Sequence, residues 1–318
     1  MQYLFFDIEC AGVFKNVAKI CAFGYLLVNE NFDILKKEDL LINPQGHFHL
    51  TDRKGEKGLV LPYTYEDFKK YPTFPQLADK IYSLLHAPDT LVVGHAVCND
   101  VKYLNLESRR FSLPSFHFRF ADTQFVYMNK VGEFSRQFGL GTIAEELGVE
   151  FTAHKAVDDA YATMRVAQEM CKEENCTFYE LLEKYQIDCG YIADYEITPT
   201  DSAAQRAYKI ERERQKEERE KARAAFHVFA DREKRKRAKE GKLKGKRICF
   251  SHALELQTPL AQKLLLATFS EAGFHTYQAE ECDVYVCYEG ESGARLQSAK
   301  QQNARVFTPE AYAEYLGV

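Results

Sequence analysis

Residues 1–10, MQYLFFDIEC, place two acidic side chains, Asp7 and Glu9, at the end of an apolar and aromatic run. Tyr3–Ile8 has the composition of a β-strand, and the side chains of a strand alternate between its two faces. Asp7 and Glu9 therefore share one face. Neighbouring carboxylates on a half-buried strand repel each other and lose hydration, which a divalent cation would offset. The alternative is a strand end at which both side chains reach water.

The following segments alternate between strand-like and helix-like patterns. Lys19–Val28 predicts a second strand, joined to the first by a turn at Gly12, and Phe32–Ile42 predicts a third. Residues 43–62 contain three glycines and two prolines and predict a loop. Further elements are predicted at Phe74–Leu85, Thr90–Gly94, Asp100–Glu107, Phe118–Ala121, Leu140–Leu147 and Ala156–Cys171. This order predicts an α/β fold with a mixed sheet covered by helices on both faces.

A third acidic residue, Asp100, follows the predicted strand Thr90–Gly94. It is expected at the carboxyl end of a sheet strand, where open α/β sheets tend to bind ligands. The alternative is an aspartate in the first turn of a helix that only caps the backbone.

The stretch HKAVDDAYATMRVAQEMC contains two adjacent aspartates that helical geometry separates. Asp158 shares a face with Arg165, Glu169 and Lys172, which is typical of a solvated surface. Asp159 shares a face with Thr163, Val166 and Met170 and is expected to point toward packed surface. His154 precedes the helix, and an imidazole near a metal pair can accept a proton from water. A structural histidine is the alternative.

The charge of the chain is unevenly distributed. Its net charge is −5, but residues 207–247 carry 17 Lys and Arg against 8 Asp and Glu. Such a basic segment beside a carboxylate-rich site is typical of nucleic-acid-binding proteins, although a solvated spacer helix is the alternative. The segment 202–240 lacks Pro and Gly and predicts one long or broken helix, in which AAFHVF at 224–229 is expected to dock on other residues.

The cysteines and the apolar runs exclude some protein classes. None of the nine cysteines forms a CxxC pair, so a zinc site is not expected. Scattered cysteines without an export signal predict a reduced cytoplasmic protein. No apolar run approaches the length of a membrane span, and no membrane association is expected.

The four acids, taken together with their surroundings, resemble the DEDDh family of 3′→5′ exonucleases. The matching stretches are FDIEC with Asp7 and Glu9, GHAVCNDVKYL with Asp100, and HKAVDDAYAT with His154 and Asp159. DT at 122–123 and LGTIAEELG at 140–148 fit the approach to the last motif. The resemblance covers residues 1 to about 175. It implies a ribonuclease-H-like fold and two Mg²⁺ or Mn²⁺ ions held by Asp7, Glu9, Asp100 and Asp159.

The same resemblance implies roles for the surrounding residues. His154 is the expected base, and Ile8, Glu9, Cys10 and His154 are expected to contact the terminal nucleotide. The product would be a nucleoside 5′-monophosphate. Ala96, Asn99 and Cys10 depart from the DNA-proofreading members, and GHxxxND is closer to some eukaryotic RNA exonucleases.

Residues 245–318 predict the element order β-α-β-β-α-β-α and resemble a BRCT domain. The chain has no Trp, so Tyr312 is expected to fill the place of the tryptophan common in the last BRCT helix. The positions that match a phosphate pocket are Ser251 and Arg295. A strand-end serine and a solvated arginine are the alternative. BRCT domains bind phosphopeptides, partner domains or DNA ends, so a protein or DNA partner is expected.

The sequence thus predicts an exonuclease domain at 1–195, a charged helical linker at 196–244 and a BRCT-like domain at 245–318. The predicted activity is 3′→5′ hydrolysis of single-stranded nucleic acid, with DNA of replication or repair favoured over RNA. An RNA 3′-end trimming enzyme is one alternative. Another is an inactive nuclease-fold scaffold that binds partners through the BRCT-like domain, and the presence of all four acids and the histidine argues against it.

Overall fold

The computed structural model describes residues 1–46, 65–150 and 155–318. These residues form two compact units, Met1–Lys209 and Ile210–Val318, each with its own hydrophobic core. Among the described residues, no helix is both long enough and apolar enough to cross a bilayer.

The described strands of the first unit are β1 (Gln2–Phe14), β2 (Val17–Asn29), β3 (Ile34–Leu41), β4 (Thr90–Gly94), β5 (Phe118–Asp122), β6 (Ile187–Asp188), β7 (Gly190–Ala193), β8 (Glu196–Thr198) and β9 (Asp201–Ser202). Its described helices are α1 (Tyr65–Phe68), α2 (Phe74–Leu85), α3 (Cys98–Arg110), α4 (Thr123–Val131), α5 (Leu140–Glu146), α6 (Ala156–Glu174), α7 (Phe178–Lys184) and the start of α8 (Ala203–Glu233). The elements predicted at Phe74–Leu85 and Thr90–Gly94 are confirmed with the same bounds.

The described strands form a mixed sheet in the order β3-β2-β1-β4-β5-β7-β8, with β6 and β9 paired separately. The β1, β2 and β3 strands are antiparallel, whereas β4 and β5 run parallel to β1. The predicted mixed α/β sheet is therefore confirmed. In this register Asp7 lies opposite Gly24, and Glu9 lies opposite Ala22.

The turn predicted at Gly12 is wrong. The β1 strand continues to Phe14, and the chain reverses between Phe14 and Val17. Gly12 pairs with Lys19 inside the ladder, just after two register shifts around Cys10. A β-bulge absorbs an extra residue and bends the strand without ending it, so a glycine here marks an irregularity of the strand.

Helices cover both faces of the sheet, and alternate residues of β1 contact different helices. Tyr3 and Phe5 belong to the core that includes α6, whereas Leu4, Phe6 and Ile8 belong to the core that includes α2 and α3. By the same alternation, Asp7 and Glu9 point toward the α6 side of the sheet. Asp7 and Glu9 therefore lie on the opposite face of the sheet from most of the residues that pack against α3.

The second unit is built on a parallel sheet with the order β11-β10-β12-β13. Its described elements are β10 (Arg247–Phe250), α9 (His252–Leu256), α10 (Thr258–Ser270), β11 (Phe274–His275), β12 (Val284–Val286), α11 (Ala294–Gln301), β13 (Arg305–Phe307) and α12 (Pro309–Leu316). The predicted element order agrees with this, apart from the additional short helix α9. Tyr312 is fully buried, and its hydroxyl lies 2.9 Å from Thr268 Oγ1.

The end of α8 packs into the core of the second unit. Phe226 is fully buried and Ala230 is nearly so, both in the cluster that contains Phe250 and Tyr312. The predicted docking of 224–229 is therefore confirmed, and the predicted helix over 202–240 is continuous to Glu233. A short 3₁₀ helix follows at Lys234–Lys236.

Candidate active site

Three acidic side chains converge at the edge of the first unit. Carboxylate oxygens of Asp7, Glu9 and Asp159 all lie within 4.8 Å of one another. Asp7 and Glu9 come from alternate positions of β1, and Asp159 comes from the first turn of α6. Glu9 and Asp159 are each only 8% exposed, and Asp7 is half-buried. Three carboxylate oxygen donors, of the kind that hard metal ions prefer, therefore lie together where little solvent reaches them.

Gly24 allows α6 to bring Asp159 to β1. It lies on β2 directly opposite Asp7. A methyl group added at Gly24 would overlap the backbone nitrogen of Val157 and the carbonyl carbon of Ala156. The first turn of α6 therefore rests on bare backbone, which only a glycine provides. This close approach sets the distance between Asp159 and the two acids of β1.

Asp100 joins the site through the backbone. Its Oδ1 atom accepts a hydrogen bond from the N–H of Ile8 at 3.2 Å, so it lies against the strand between Asp7 and Glu9. It is 6% exposed and sits in the first turn of α3. Asp100 is not a member of the group of three carboxylates within 4.8 Å, although it is bonded to the same strand.

Burial and neighbouring acids raise the pKa of Asp7, Glu9 and Asp100. Burial raises the pKa of Asp7 well above its ordinary value, and Asp100, Asp159 and Glu9 raise it further. Burial, with Asp159 and Asp39, raises the pKa of Glu9 to about 7. Burial also raises the pKa of Asp100, although the Ile8 N–H opposes the shift. The ionised form of these buried carboxylates is therefore unfavourable unless a cation compensates their negative charge.

The residues present fit a divalent metal. Among the described residues, Asp7, Glu9 and Asp100 form no ion pair with Lys or Arg that would neutralise them. Carboxylate oxygens are the ligands that Mg²⁺, Mn²⁺ and Ca²⁺ prefer. Asp7, Glu9 and Asp159 would hold such an ion, with Asp100 next to them.

The two adjacent aspartates of α6 differ as predicted. The side chain of Asp158 is 39% exposed and lies 3.8 Å from Lys37 Nζ. Arg165 and Lys172 on the same face both pair with Glu169. Asp159 is buried against the sheet. Helical geometry alone therefore identified the inward-pointing aspartate.

Of the residues predicted to contact the terminal nucleotide, the structure describes Ile8, Glu9 and Cys10. His154 lies outside the described residues. Ile8 is buried and donates its N–H to Asp100, and Cys10 is half-buried beside the strand irregularity. Burial raises the pKa of the Cys10 thiol, which keeps it protonated at neutral pH.

Asp122 belongs to the DT stretch at 122–123, but the sequence did not reveal its positioning role. Its carboxylate accepts hydrogen bonds from the N–H groups of Ala96 at 3.0 Å, Val97 at 3.1 Å and Gln124 at 3.0 Å. Ala96 has a left-handed backbone, with φ of 50°. Asp122 therefore stabilises the bend from which α3 starts, and so positions Asp100. An Asp before a predicted helix signals an N-cap, but this bridge to another loop depends on the fold.

His95 connects the same bend to a more distant segment. Its ring nitrogens lie 3.1 Å from Thr123 Oγ1 and 3.0 Å from the carbonyl oxygen of Phe138. Gln124 donates to the same carbonyl at 2.7 Å. Burial lowers the pKa of His95 to about 4, so the ring is neutral at physiological pH. This histidine is structural.

In the second unit, Ser251 and Arg295 both have intramolecular partners. Ser251 caps α9 through Leu254 N–H and donates to Glu291 at 2.8 Å. Arg295 donates to Cys249 Sγ at 3.1 Å and to the carbonyl of Phe250 at 3.2 Å. The predicted solvated arginine is wrong, because this side chain is half-buried. Such contacts are typical of structural residues.

Comparisons with known proteins place this site in a family. Residues 4–167, just over half of the 318 residues, match the sequence model of a family described as Exonuclease. No curated protein shows a significant match.

Among solved structures, the chain is similar to a 3′-exonuclease described by its 3′-end specific recognition of histone mRNA stem-loop. That match has 14% identity and a TM-score of 0.47, over 64% of this chain and 71% of the other. It is also similar to exonuclease I, at 18% identity and a TM-score of 0.48, over 58% of this chain and 44% of the other. The E. coli exonuclease I complex with a dA16 oligonucleotide matches at 17% identity with a TM-score of 0.46, over 58% of this chain and 43% of the other. The chain therefore spans less than half the length of these exonuclease I chains.

The region matched by the family model includes Asp7, Glu9, Asp100 and Asp159, the four acids that the fold brings together. Because the model covers more than half of the sequence, the chain belongs to the exonuclease family.

Proposed function

We propose that this chain is a metal-dependent 3′→5′ exonuclease that releases nucleoside 5′-monophosphates from single-stranded nucleic acid. The observation that carries the proposal is the convergence of Asp7, Glu9 and Asp159 within 4.8 Å, with Asp100 held against the same strand. Two Mg²⁺ or Mn²⁺ ions are the proposed cofactors, because an all-carboxylate donor set suits these metals.

Bound divalent ions would lower the pKa of a water molecule and neutralise charge on the phosphate under attack. The protein's own task is to keep its carboxylates ionised and fixed in the ion-binding arrangement. Their raised pKa values favour a cation as the partner that keeps them charged.

Proton transfer is assigned to His154. Its position directly before α6 puts it in the same part of the chain as Asp159. We expect His154→Ala to lower turnover by about two to four orders of magnitude, as for loss of a general base, while metal affinity is retained. Isothermal titration with Mn²⁺ checks the affinity. An equal loss of metal binding would contradict the assigned role.

The terminal nucleotide is proposed to contact Ile8, Glu9 and Cys10. Support comes from the strand irregularity around Cys10, which bends the chain just after the acids. Bulges often redirect side chains beside active sites. The buried amide of Ile8 is already used by Asp100, so Glu9 and Cys10 are the better candidates for direct contact.

Single-stranded DNA is the proposed substrate, with RNA 3′-end trimming as the second candidate. The test is digestion of matched single-stranded DNA, duplex DNA and RNA, each labelled at the 5′ end, with Mg²⁺ present. A ladder that shortens from the 3′ end, with mononucleotide products, is expected. Internal cleavage products, or removal of the 5′ label first, would refute the proposed direction.

The second unit is proposed to be a BRCT-like module that binds a protein or DNA partner. The parallel sheet and the agreement between the predicted and observed element order support this. The division at 1–195, 196–244 and 245–318 also remains a proposal. Burial of Phe226 in the second core supports counting the end of α8 with the C-terminal module.

A further inference from the structure

The positive charge of the linker is concentrated in a short part of it. Residues 232–247, called the basic segment below, contain ten Lys and Arg against two Glu, a net charge of +8. The preceding part of α8, residues 203–231, contains eight Lys and Arg against six Asp and Glu. The excess therefore lies after the long helix, within the second unit.

The backbone of the basic segment is fixed to the second unit. Leu243 is 1% exposed and belongs to its core. Ala238 N–H donates to Phe269 O at 2.9 Å, and Leu243 N–H donates to Glu271 O at 2.8 Å. Arg237 lies over the Phe274 ring at 3.8 Å. The charged side chains are therefore presented from an ordered backbone, which reduces the entropy cost of binding a partner.

Several cations of this segment lack a compensating acid. Five of the ten are paired, two of them with acids outside the segment: Arg232 and Lys236 with Glu233, Lys244 with Glu240, Lys246 with Asp283 and Arg247 with Glu281. In the part of the chain that the structure describes, the side chains that remain exposed without an ion pair are Lys234, Arg235, Lys239 and Lys242.

In the exposed part of α8, three cations pair with acids of the same helix. The pairs are Arg214 with both Glu211 and Glu218, Lys216 with Glu213, and Lys221 with Glu217 at 3.4 Å. Such pairs are typical of a solvated helix face. The two stretches differ in net charge, which is +2 for residues 203–231 and +8 for the basic segment.

A cleft beside the basic segment adds an aromatic surface. It has a volume of about 300 Å³ and is lined by Lys234, Thr276, Tyr277 and Gln278, among others. Tyr277 is 36% exposed, and its ring centroid lies 4.1 Å from that of His227, so the exposed part of the ring is what a partner could contact. Exposed aromatic rings beside cations are the usual means of binding single strands without sequence preference, through base stacking and phosphate contact.

We propose that the basic segment binds the phosphate backbone of single-stranded nucleic acid, with Tyr277 as a platform for one base. The inference rests on the proposed nuclease function for the identity of the partner and deepens it, because it assigns long-strand affinity to the second unit. A strand that is bound to this surface has a raised local concentration near the chain. DNA and RNA share the chemistry that this surface recognises.

The test compares two full-length variants with the same loss of charge. One carries Lys234→Gln, Arg235→Gln, Lys239→Gln and Lys242→Gln. Its matched control carries Arg212→Gln, Lys216→Gln, Arg219→Gln and Lys221→Gln in the exposed part of α8. Binding of a labelled single strand of about 30 nucleotides, as DNA and as RNA, is measured over a salt series without divalent ions.

We expect the first variant to bind at least about tenfold more weakly at low salt. Its salt slope should fall by roughly 0.7 for each lost phosphate contact, so by up to about 3. The control should keep most of the wild-type slope. Tyr277→Leu should weaken binding by about tenfold with little change of slope.

Equal behaviour of the two variants would overturn the inference. So would displacement of the strand by a polyglutamate peptide of equal charge, which would indicate a surface for acidic polymers in general. Turnover of a dinucleotide by the wild-type chain tests the nuclease function separately. A chain that binds but does not hydrolyse contradicts only the proposed function, and one that hydrolyses but binds equally after the four substitutions contradicts only this inference.

Discussion

Asp122 shows how much of the site depends on one side chain that lies outside the group of four acids. Asp100 is held by the Ile8 amide, and the bend that delivers it is held by the Asp122 carboxylate. Asp122 is 6% exposed, and burial raises its pKa to about 6 against the opposing effect of its N–H donors. A neutral isostere would lose acceptor capacity at a buried position.

We predict that Asp122→Asn lowers kcat by about one to two orders of magnitude and raises the Mg²⁺ concentration needed for half-maximal activity. Unsatisfied N–H groups at Ala96 and Val97 should also cost about 1–3 kcal/mol of unfolding free energy. Asp158→Asn, an exposed neighbour of the site, is the matched control and should change neither quantity by much. An unchanged Mg²⁺ requirement in Asp122→Asn would show that Asp122 is only structural.

The neutral His95 ring makes stability depend on pH. Its folded pKa of about 4 lies below the unfolded value, so its contribution is present above about pH 6.5 and is lost as the pH falls toward 4. The pKa values of the acids in the site are raised, so the contribution of these acids to stability changes with pH in the opposite direction. The wild type must therefore be compared with His95→Gln, in which the acids are the same. We predict that the stability advantage of the wild type shrinks by about 2 kcal/mol between roughly pH 8 and pH 5 in urea titrations. A constant difference would contradict the buried neutral imidazole.

At the scale of elements, the packing of α6 on β2 determines where Asp159 lies. This packing requires that residue 24 has no side chain, as in Gly24. Gly24→Ala is expected to destabilise the protein by about 1–3 kcal/mol or to displace α6, with loss of metal-dependent activity. Gly139→Ala is the control, because an added Cβ there meets nothing within 4 Å. Thermal unfolding and Mn²⁺ binding distinguish the two, and equal effects would refute the role of Gly24.

The sequence predicted the elements that carry strong periodicity. Phe74–Leu85 and Thr90–Gly94 agree with the structure because helical spacing of apolar residues and a short apolar run mark their bounds. The β7–β8 hairpin was not predicted. Its turn places Asp194 and Tyr195 at φ of 50° and 63°, without the glycine that usually signals such a turn. Tertiary hydrogen bonds from Tyr195 to Ser115 and Leu113 stabilise it, and these depend on the finished fold.

The site was predictable to a similar degree. Strand alternation grouped Asp7 with Glu9, and helical phase selected Asp159. The bond between Asp100 and the Ile8 amide, and the bridging role of Asp122, arise only when loops from different strands meet. Local patterns do not encode such contacts, because they depend on tertiary structure.

At the scale of the whole molecule, we expect hydrolysis to depend on the first unit and the binding of long strands to depend on the second. The carboxylate site and the two cores that flank the sheet use only residues of Met1–Lys209. We predict that a chain ending at residue 209 hydrolyses short substrates at a rate near that of the full chain. It should bind long strands more weakly, and the difference should be greatest at low salt. Unchanged affinity for long strands would assign that affinity to the first unit.

The end of the first unit is testable in the same way. A chain ending at residue 195 lacks β8 and β9, which pair with β7 and β6. It also lacks Arg206, which pairs with Asp188. We therefore expect it to melt several degrees below the chain ending at 209, because β7 becomes an unpaired edge. Equal melting temperatures would support the shorter boundary.

Asp7 and its neighbouring carboxylates are proposed to hold the metal ions that support hydrolysis. The most direct test is the rate of mononucleotide release from a 3′-labelled single strand, by the wild type and by Asp7→Ala, with Mg²⁺ or Mn²⁺ and with a chelator. We expect release by the wild type with either metal, and none with the chelator or with Asp7→Ala. Undiminished release by Asp7→Ala would contradict the proposal.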